Sequence, residues 1–144
     1  EGNNAHTHPF VSVYEAYKKS GPNVLGVEAL QGDDGCTGVE VNTADGYADH
    51  LFSATDMQAH HPSKRVSFCG GLGLIREKEG QIQLMYLGCG RSLKKGNFVL
   101  ESDHDVYAAI YMQHGVWYYS ATGPVRVKIG KETKELNEGY NQKL

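Results

Sequence analysis

Tyr107, Tyr111 and Tyr118 lie in the stretch VYAAIYMQHGVWYYS, residues 106–120. If His114 and Gly115 form a two-residue turn, Met112 pairs with Trp117, Tyr111 with Tyr118 and Ile110 with Tyr119. Alternation then sends Ile110, Met112, Trp117 and Tyr119 to one face and Tyr107, Tyr111 and Tyr118 to the other. The first set reads as core. The second reads as a row of tyrosines on an open face. Sugar rings offer flat C–H patches that stack on aromatic rings, and their hydroxyls seek polar neighbours; a tyrosine supplies a ring and a hydroxyl together. The row therefore suits a glycan platform. Gln113, Arg126 and Lys128 are near enough in sequence to meet carboxylates or sulfates. The same tyrosines also suit plain cross-strand stabilisation of a sheet, or packing against another domain.

Histidines and aspartates form two further groups. Asp56, His60 and His61 share one polar loop, and Asp103, His104 and Asp105 follow one another in a second. Imidazole and carboxylate are zinc ligands, and clustered aspartates hold calcium. Calcium or zinc is thus the metal these loops would take. Adjacent histidines on a strand point oppositely, so His60 and His61 need loop geometry to converge. Solvated loop residues are the plainer reading of both groups.

Nucleophilic catalysis has little support. No G-x-S-x-G elbow is present, and no Cys–His pairing can be read from the spacing. Tyr47 and His50 have the residue types for β-elimination, in which a base takes the proton α to a uronate carboxylate and an acid serves the leaving oxygen. Nothing in the sequence fixes their geometry, and no catalytic residue is assigned. Arg91, Lys94 and Lys95 make a small basic patch that reads as a solvated turn.

The elements that must position these residues are short strands. Phe68 to Ser102 reads as strand, turn, strand, turn, strand, with Arg76 to Gly80 as the first turn and Gly88, Gly90 and Gly96 punctuating the next. Upstream, Phe10–Tyr17 and Val24–Gln31 read as strands. Thr37–Thr43 and Tyr47–Ser53 form a hairpin with Asp45-Gly46 at its tip, a pair that favours a type I′ turn. Downstream, Val106–Met112, Val116–Tyr119 and Val125–Ile129 complete the set. That makes about ten strands with turn signals every 8–12 residues or so, the pattern of an all-β sandwich or barrel. The expectation is an antiparallel β-sandwich in one domain over residues 9–130, with a flexible segment at 1–8 and a charged peripheral tail at 131–144.

At 144 residues the chain is long enough for a real core. Its formal charge of −3 argues against a general nucleic-acid or anionic-membrane binder, which needs a basic surface excess. No apolar run approaches a membrane span. Residue 1 is Glu, so the chain reads as cut from something longer. Cys36, Cys69 and Cys89 are an odd number and form no disulfide framework, although Cys69 and Cys89 could be cross-strand neighbours.

The order of motifs resembles the C-terminal β-sandwich domain of the heparinase II/III-like polysaccharide lyases. The matching pieces are HPFVSVYEAY (8–17), GVEVNTADGYADHLFSATD (38–56), FCGGLGLIREKEGQIQLMYLGCGRSL (68–93) and NFVLESD (97–103). They occur in the family's order over roughly Pro9 to Asp103. The chain departs from the pattern at Cys69, Cys89 and Cys-Gly-Arg-Ser (89–92), where the family more often has Gly-Gly-Thr. The resemblance implies an accessory domain, inactive alone, of a secreted or periplasmic lyase acting on an acidic, uronate-containing polysaccharide. It also implies a catalytic α/α-toroid domain of the parent chain as partner. In such lyases the catalytic Tyr and His come largely from that toroid, so none is carried onto this chain. A self-standing carbohydrate-binding module that uses the tyrosine row is the alternative. The accessory domain predicts a large apolar patch on its outside, and the module predicts a mostly polar surface with one small aromatic platform.

Overall fold

The computed structural model describes residues 12–15, 21–30, 35–62 and 66–144. Among them it is all antiparallel β. The strands are β1 (Val24–Leu30), β2 (Cys36–Thr43), β3 (Tyr47–Ala54), β4 (His61–Pro62), β5 (Val66–Lys78), β6 (Gln81–Lys95), β7 (Phe98–Gln113), β8 (Val116–Ala121), β9 (Val125–Ile129), β10 (Glu132–Leu136) and β11 (Gly139–Lys143). The flexible 1–8 segment lies outside the described residues, as do the ends of the strand expected over 10–17; its middle, Ser12–Glu15, is not in a strand.

Three strands carry the architecture. β5, β6 and β7 have 13, 15 and 16 residues, long enough to run through two layers. In one layer the order is β1-β2-β3-β5-β6-β7-β8-β11. In the other, the opposite ends of the same three strands pair with each other, with β4 beside β5 and β9-β10 beside β7. The sandwich is thus one sheet folded over on itself. Gly88 and Gly90, read from sequence as turn residues, instead sit inside β6 where the three strands bend. Likewise the segments read as two strands, near 97–101 and 106–112, are one strand, β7.

The bend depends on two glycines. Gly70 pairs with Gly90, and register shifts flank both. A Cβ on Gly90 would lie 2.6 Å from the Cys69 carbonyl oxygen and 2.7 Å from the Gly70 Cα. A Cβ on Gly70 would lie 2.8 Å from the Gly90 Cα. These clashes are with backbone, so no side-chain rotation relieves them.

The core fills the fold. Phe68, Ile75, Met85, Leu87, Leu93, Leu100 and Ile110 are its largest fully buried side chains. Phe52 of the first layer meets Phe68 of the second with ring centroids 6.0 Å apart, and Trp117 meets Phe98 at 5.8 Å. Truncating Phe68 to Ala would cost about 3–5 kcal/mol.

Two local expectations change. The Asp45-Gly46 tip is not a type I′ turn: only Gly46 has positive φ (85°), and its N–H donates to the Thr43 carbonyl at 3.0 Å. The Thr43 hydroxyl explains this, because it bonds Asp45 Oδ1 and accepts the Tyr47 N–H, which holds a three-residue loop. Type I′ geometry appears where His114 (φ 50°) and Gly115 (φ 77°) join β7 to β8. The 131–144 segment, expected to be peripheral, carries β10 and β11, and its Leu136 and Leu144 pack on the core.

Gly90→Ala is therefore expected to lower stability by roughly 1–3 kcal/mol or more, as overpacking does. Gly26→Ala in β1, where an added Cβ meets nothing within 4 Å, should change it little. Urea unfolding of the two variants beside the parent measures the difference.

Candidate functional site

Register places the tyrosines. Tyr111 pairs with Tyr118, Met112 with Trp117 and Ile110 with Tyr119, as the turn at His114-Gly115 predicts. Ile110 and Tyr119 are buried, and Tyr107, Tyr111 and Tyr118 face outward on the first layer. The Tyr111 and Tyr118 rings stack at 6.0 Å with an interplanar angle of 17°. The Tyr111 hydroxyl donates to Asn141 Oδ1 at 2.5 Å. Tyr107 is 55 % exposed.

Two tyrosines missed in the sequence join them. Leu74 pairs with Tyr86, and Tyr86 with Ala109, so Tyr86 stands on this same outward face. Tyr140 projects from β11 and is 83 % exposed. Tyr86, Tyr107 and Tyr140 line one open groove of about 660 Å³. Alternation along β6 would have put Tyr86 outward; the apolar run Leu84–Leu87 hid it. Tyr140 lay in the segment read as a tail.

Arg126 and Lys128 lie elsewhere. They belong to β9, which pairs with the first residues of β7 in the second layer, whereas the tyrosines sit beyond the bend. The six residues grouped by sequence proximity therefore divide between two layers. Gln113 stays beside the tyrosines, exposed at the end of β7. The division follows from β7 changing layer at residues 102–105, which proximity in sequence does not show.

Arg126 helps line a second groove, of about 630 Å³, on the outward face of the second layer. Arg126 bonds Glu101 Oε1 at 2.9 Å and Glu135 Oε1 at 2.5 Å; Lys94 Nζ lies 2.7 Å from Glu101 Oε2. Arg91 Nε donates to Asp105 Oδ1 at 2.9 Å. The basic residues read as a solvated turn are thus held in ion pairs. The buried Ser92 hydroxyl beside them has no hydrogen-bond partner among the described residues.

The metal candidates disperse. Asp56 Oδ1 accepts the N–H groups of Gln58 (3.0 Å) and Ala59 (3.3 Å), which closes a turn. His61 is buried with Nε2 3.0 Å from the Asp56 carbonyl oxygen, its ring 6.4 Å from that of Phe68. Asp105 is engaged by Arg91 and Gln58. His60, Asp103 and His104 line the second groove. Among the described residues no three His, Cys, Asp or Glu side chains converge as a metal-ligand set. Cys69 stands opposite Ser92 rather than Cys89. Burial pushes the Cys69 thiol up, which makes it a weak nucleophile.

Tyr47 and His50 fall on opposite faces. Tyr47 lies outside beneath Arg76 and Lys78, whose charged groups are 5.3 and 4.8 Å from its ring centre. His50 faces inward and is buried. Its Nε2 is 3.0 Å from Glu77 Oε2 and its Nδ1 3.4 Å from Glu40 Oε2, while Lys95 Nζ reaches Glu77 Oε2 at 2.6 Å. Lys95 comes from the second layer and Glu77 from the first, so this cluster ties the layers together at one end. Burial alone would raise the Glu77 carboxyl, but the hydrogen bonds from Lys95 and His50 together hold it below its usual range. The Lys94 hydrogen bond, helped by Arg126 and opposed by burial, does the same for Glu101.

Residues 24–112 match the endo-acting ulvan lyase C-terminal domain, so the match runs from β1 almost to the end of β7. The chain is thus a C-terminal domain of the polysaccharide-lyase kind. It belongs to the family of endo-acting ulvan lyase C-terminal domains. An endo-acting ulvan lyase of Formosa agariphila is 32 % identical over 101 residues, which are 66 % of this chain and 12 % of that protein. The chain therefore spans about an eighth of the length of that relative. No solved structure matches it. Among the described residues no helix is long and apolar enough to cross a membrane.

Lowered carboxyl pKa values mean stability that is present above the unfolded value and lost as pH falls through the folded one. The midpoint of thermal unfolding is expected to hold near neutral pH and to fall once pH drops below about 4.5, the ordinary value of Glu77 and Glu101. Glu77→Gln should lower the midpoint at pH 7 and flatten its acid slope. A calorimetric series from pH 3 to pH 8 on both proteins checks this.

Proposed function

We propose that this chain is an accessory domain, inactive alone, of a secreted or periplasmic polysaccharide lyase, and that it contacts an acidic, uronate-containing polysaccharide. The catalytic partner is a separate domain of the parent chain, an α/α-toroid if the kinship with the heparinase II/III-like sandwich extends so far. The order of motifs over residues 8–103 supports that kinship.

One observation carries the reading: the outward face of the first layer is apolar at one side and aromatic at the other. Registered pairs run Leu51, Leu74, Tyr86, Ala109 across β3, β5, β6 and β7, all partly exposed, while Val39 and Val41 on β2 are already buried. Val27 of β1 stands beside Val41 and is 46 % exposed. A solvated sheet face normally alternates to polar residues; a continuous apolar band suits burial against a neighbouring domain. The tyrosines continue the band toward β8 and β11. Round the bend, Arg91, Lys94 and Arg126 are paired with Asp105, Glu101 and Glu135, so an acidic substituent would have to compete with those carboxylates for them.

The purified chain is expected to bind ulvan, the polysaccharide named for the relative, without cleaving it, and to bind less tightly as salt rises. Affinity electrophoresis and release of unsaturated product, followed by absorbance, measure the two properties. Binding to no uronate polysaccharide, or cleavage by the isolated chain, would overturn the proposal.

A further inference from the structure

We infer that the groove between Tyr107 and Tyr140 is a seat for one uncharged sugar ring, and that Tyr111 positions this seat instead of stacking on the sugar. The inference rests on the reading of the chain as a polysaccharide-contacting domain and assigns that contact to particular atoms.

The argument starts from a bulge. β11 pairs with β8 at Gly139 opposite Ala121 and again at Gln142 opposite Tyr119, so the register shifts between them. Asn141 takes up the difference in a left-handed conformation, φ 52°. Asparagine tolerates that region better than most residues, but it still needs holding. Two bonds hold it: its N–H donates to Ser120 Oγ at 2.9 Å, and its Oδ1 accepts the Tyr111 hydroxyl at 2.5 Å. The consequence is the outward aim of the preceding residue, Tyr140. Bulges commonly serve to re-aim a side chain beside a site.

The space that results suits a ring. Of the groove's tyrosines, Tyr107 and Tyr140 are the exposed ones, and Ala109, Ser120 and Gly139 leave the floor between them low. The volume, about 660 Å³, falls within the range of small-ligand sites. By contrast Tyr111 and Tyr118 stack on each other, so their facing sides are taken. Among the described residues, Glu138 is the one charged side chain that lines the groove. A carboxylate accepts hydrogen bonds from sugar hydroxyls and repels a uronate or a sulfate. An acidic polysaccharide would therefore place an uncharged unit here and its acid groups elsewhere.

The test is isothermal titration of the whole chain with ulvan oligosaccharides of defined length. Tyr140→Ala is expected to weaken binding roughly tenfold, the size of one aromatic contact, and Tyr140→Phe to weaken it little. Tyr111→Phe keeps its ring but loses the bond to Asn141. It should weaken binding a few fold in the parent and not at all when Tyr140 is already Ala, because a positioning residue acts only through the group it positions. Glu138→Lys should leave affinity within about twofold if the seated ring is uncharged, by the logic of a single charge. A marked gain with Glu138→Lys would show that an acid group sits there and overturn the assignment. Unchanged binding in Tyr140→Ala and Tyr107→Ala, with loss in Arg91→Ser, would remove the seat and leave the proposed function standing. No binding by the parent chain would sink both.

Discussion

The close approach of Gly70 and Gly90 is the constraint on which the rest of this structure depends. Two strands pass each other there with no room for a Cβ on either. Because the obstacle is backbone, the strands can bend at this point only as glycines. That bend lets β5, β6 and β7 belong to both layers, and it turns a flat sheet with two wet faces into a fold with one dry interior. Leu87 and Leu93 stand on either side of it in β6 and are both fully buried. The hydrophobic term, at about 25 cal/mol per Å² of apolar surface, then acts on both layers at once.

The end near the β5–β6 turn is closed differently. Lys95, Glu77, His50 and Glu40 meet where apolar side chains would otherwise fill the space. Such a cluster gains little over a hydrophobic plug, since each charge must leave water first. Breaking it is another matter, because the partners are then stranded. It therefore acts more to fix how the two layers meet than to add net stability, and it accounts for a histidine whose residue type suggests catalysis.

Local chemistry made much of this legible from sequence. His114-Gly115 determined the register of β7 and β8 down to which tyrosines face out, because a two-residue turn leaves no freedom. The all-β class followed from short alternating runs between turn residues. What stayed hidden was long-range. A glycine in a strand looks the same as a glycine in a turn until the partner strand is known, so Gly88 and Gly90 read as turns and β7 was split in two. The same gap joined Arg126 and Lys128 to the tyrosines, since sequence distance ignores a bend. Tyr140 needed the β8–β11 pairing, and that pairing involves a polar, charged segment with no strand pattern of its own.

In the proposed function, the outward face of the first layer is covered by another domain at its apolar side and by a glycan at its aromatic side. The most direct measurement is hydrogen–deuterium exchange of the chain with and without ulvan oligosaccharides. The account predicts added protection in residues 105–112, 118–122 and 138–142, with the β1–β2 hairpin unchanged. Protection confined to β1 and β2, or no change near Tyr107 and Tyr140 under saturating binding, would contradict it.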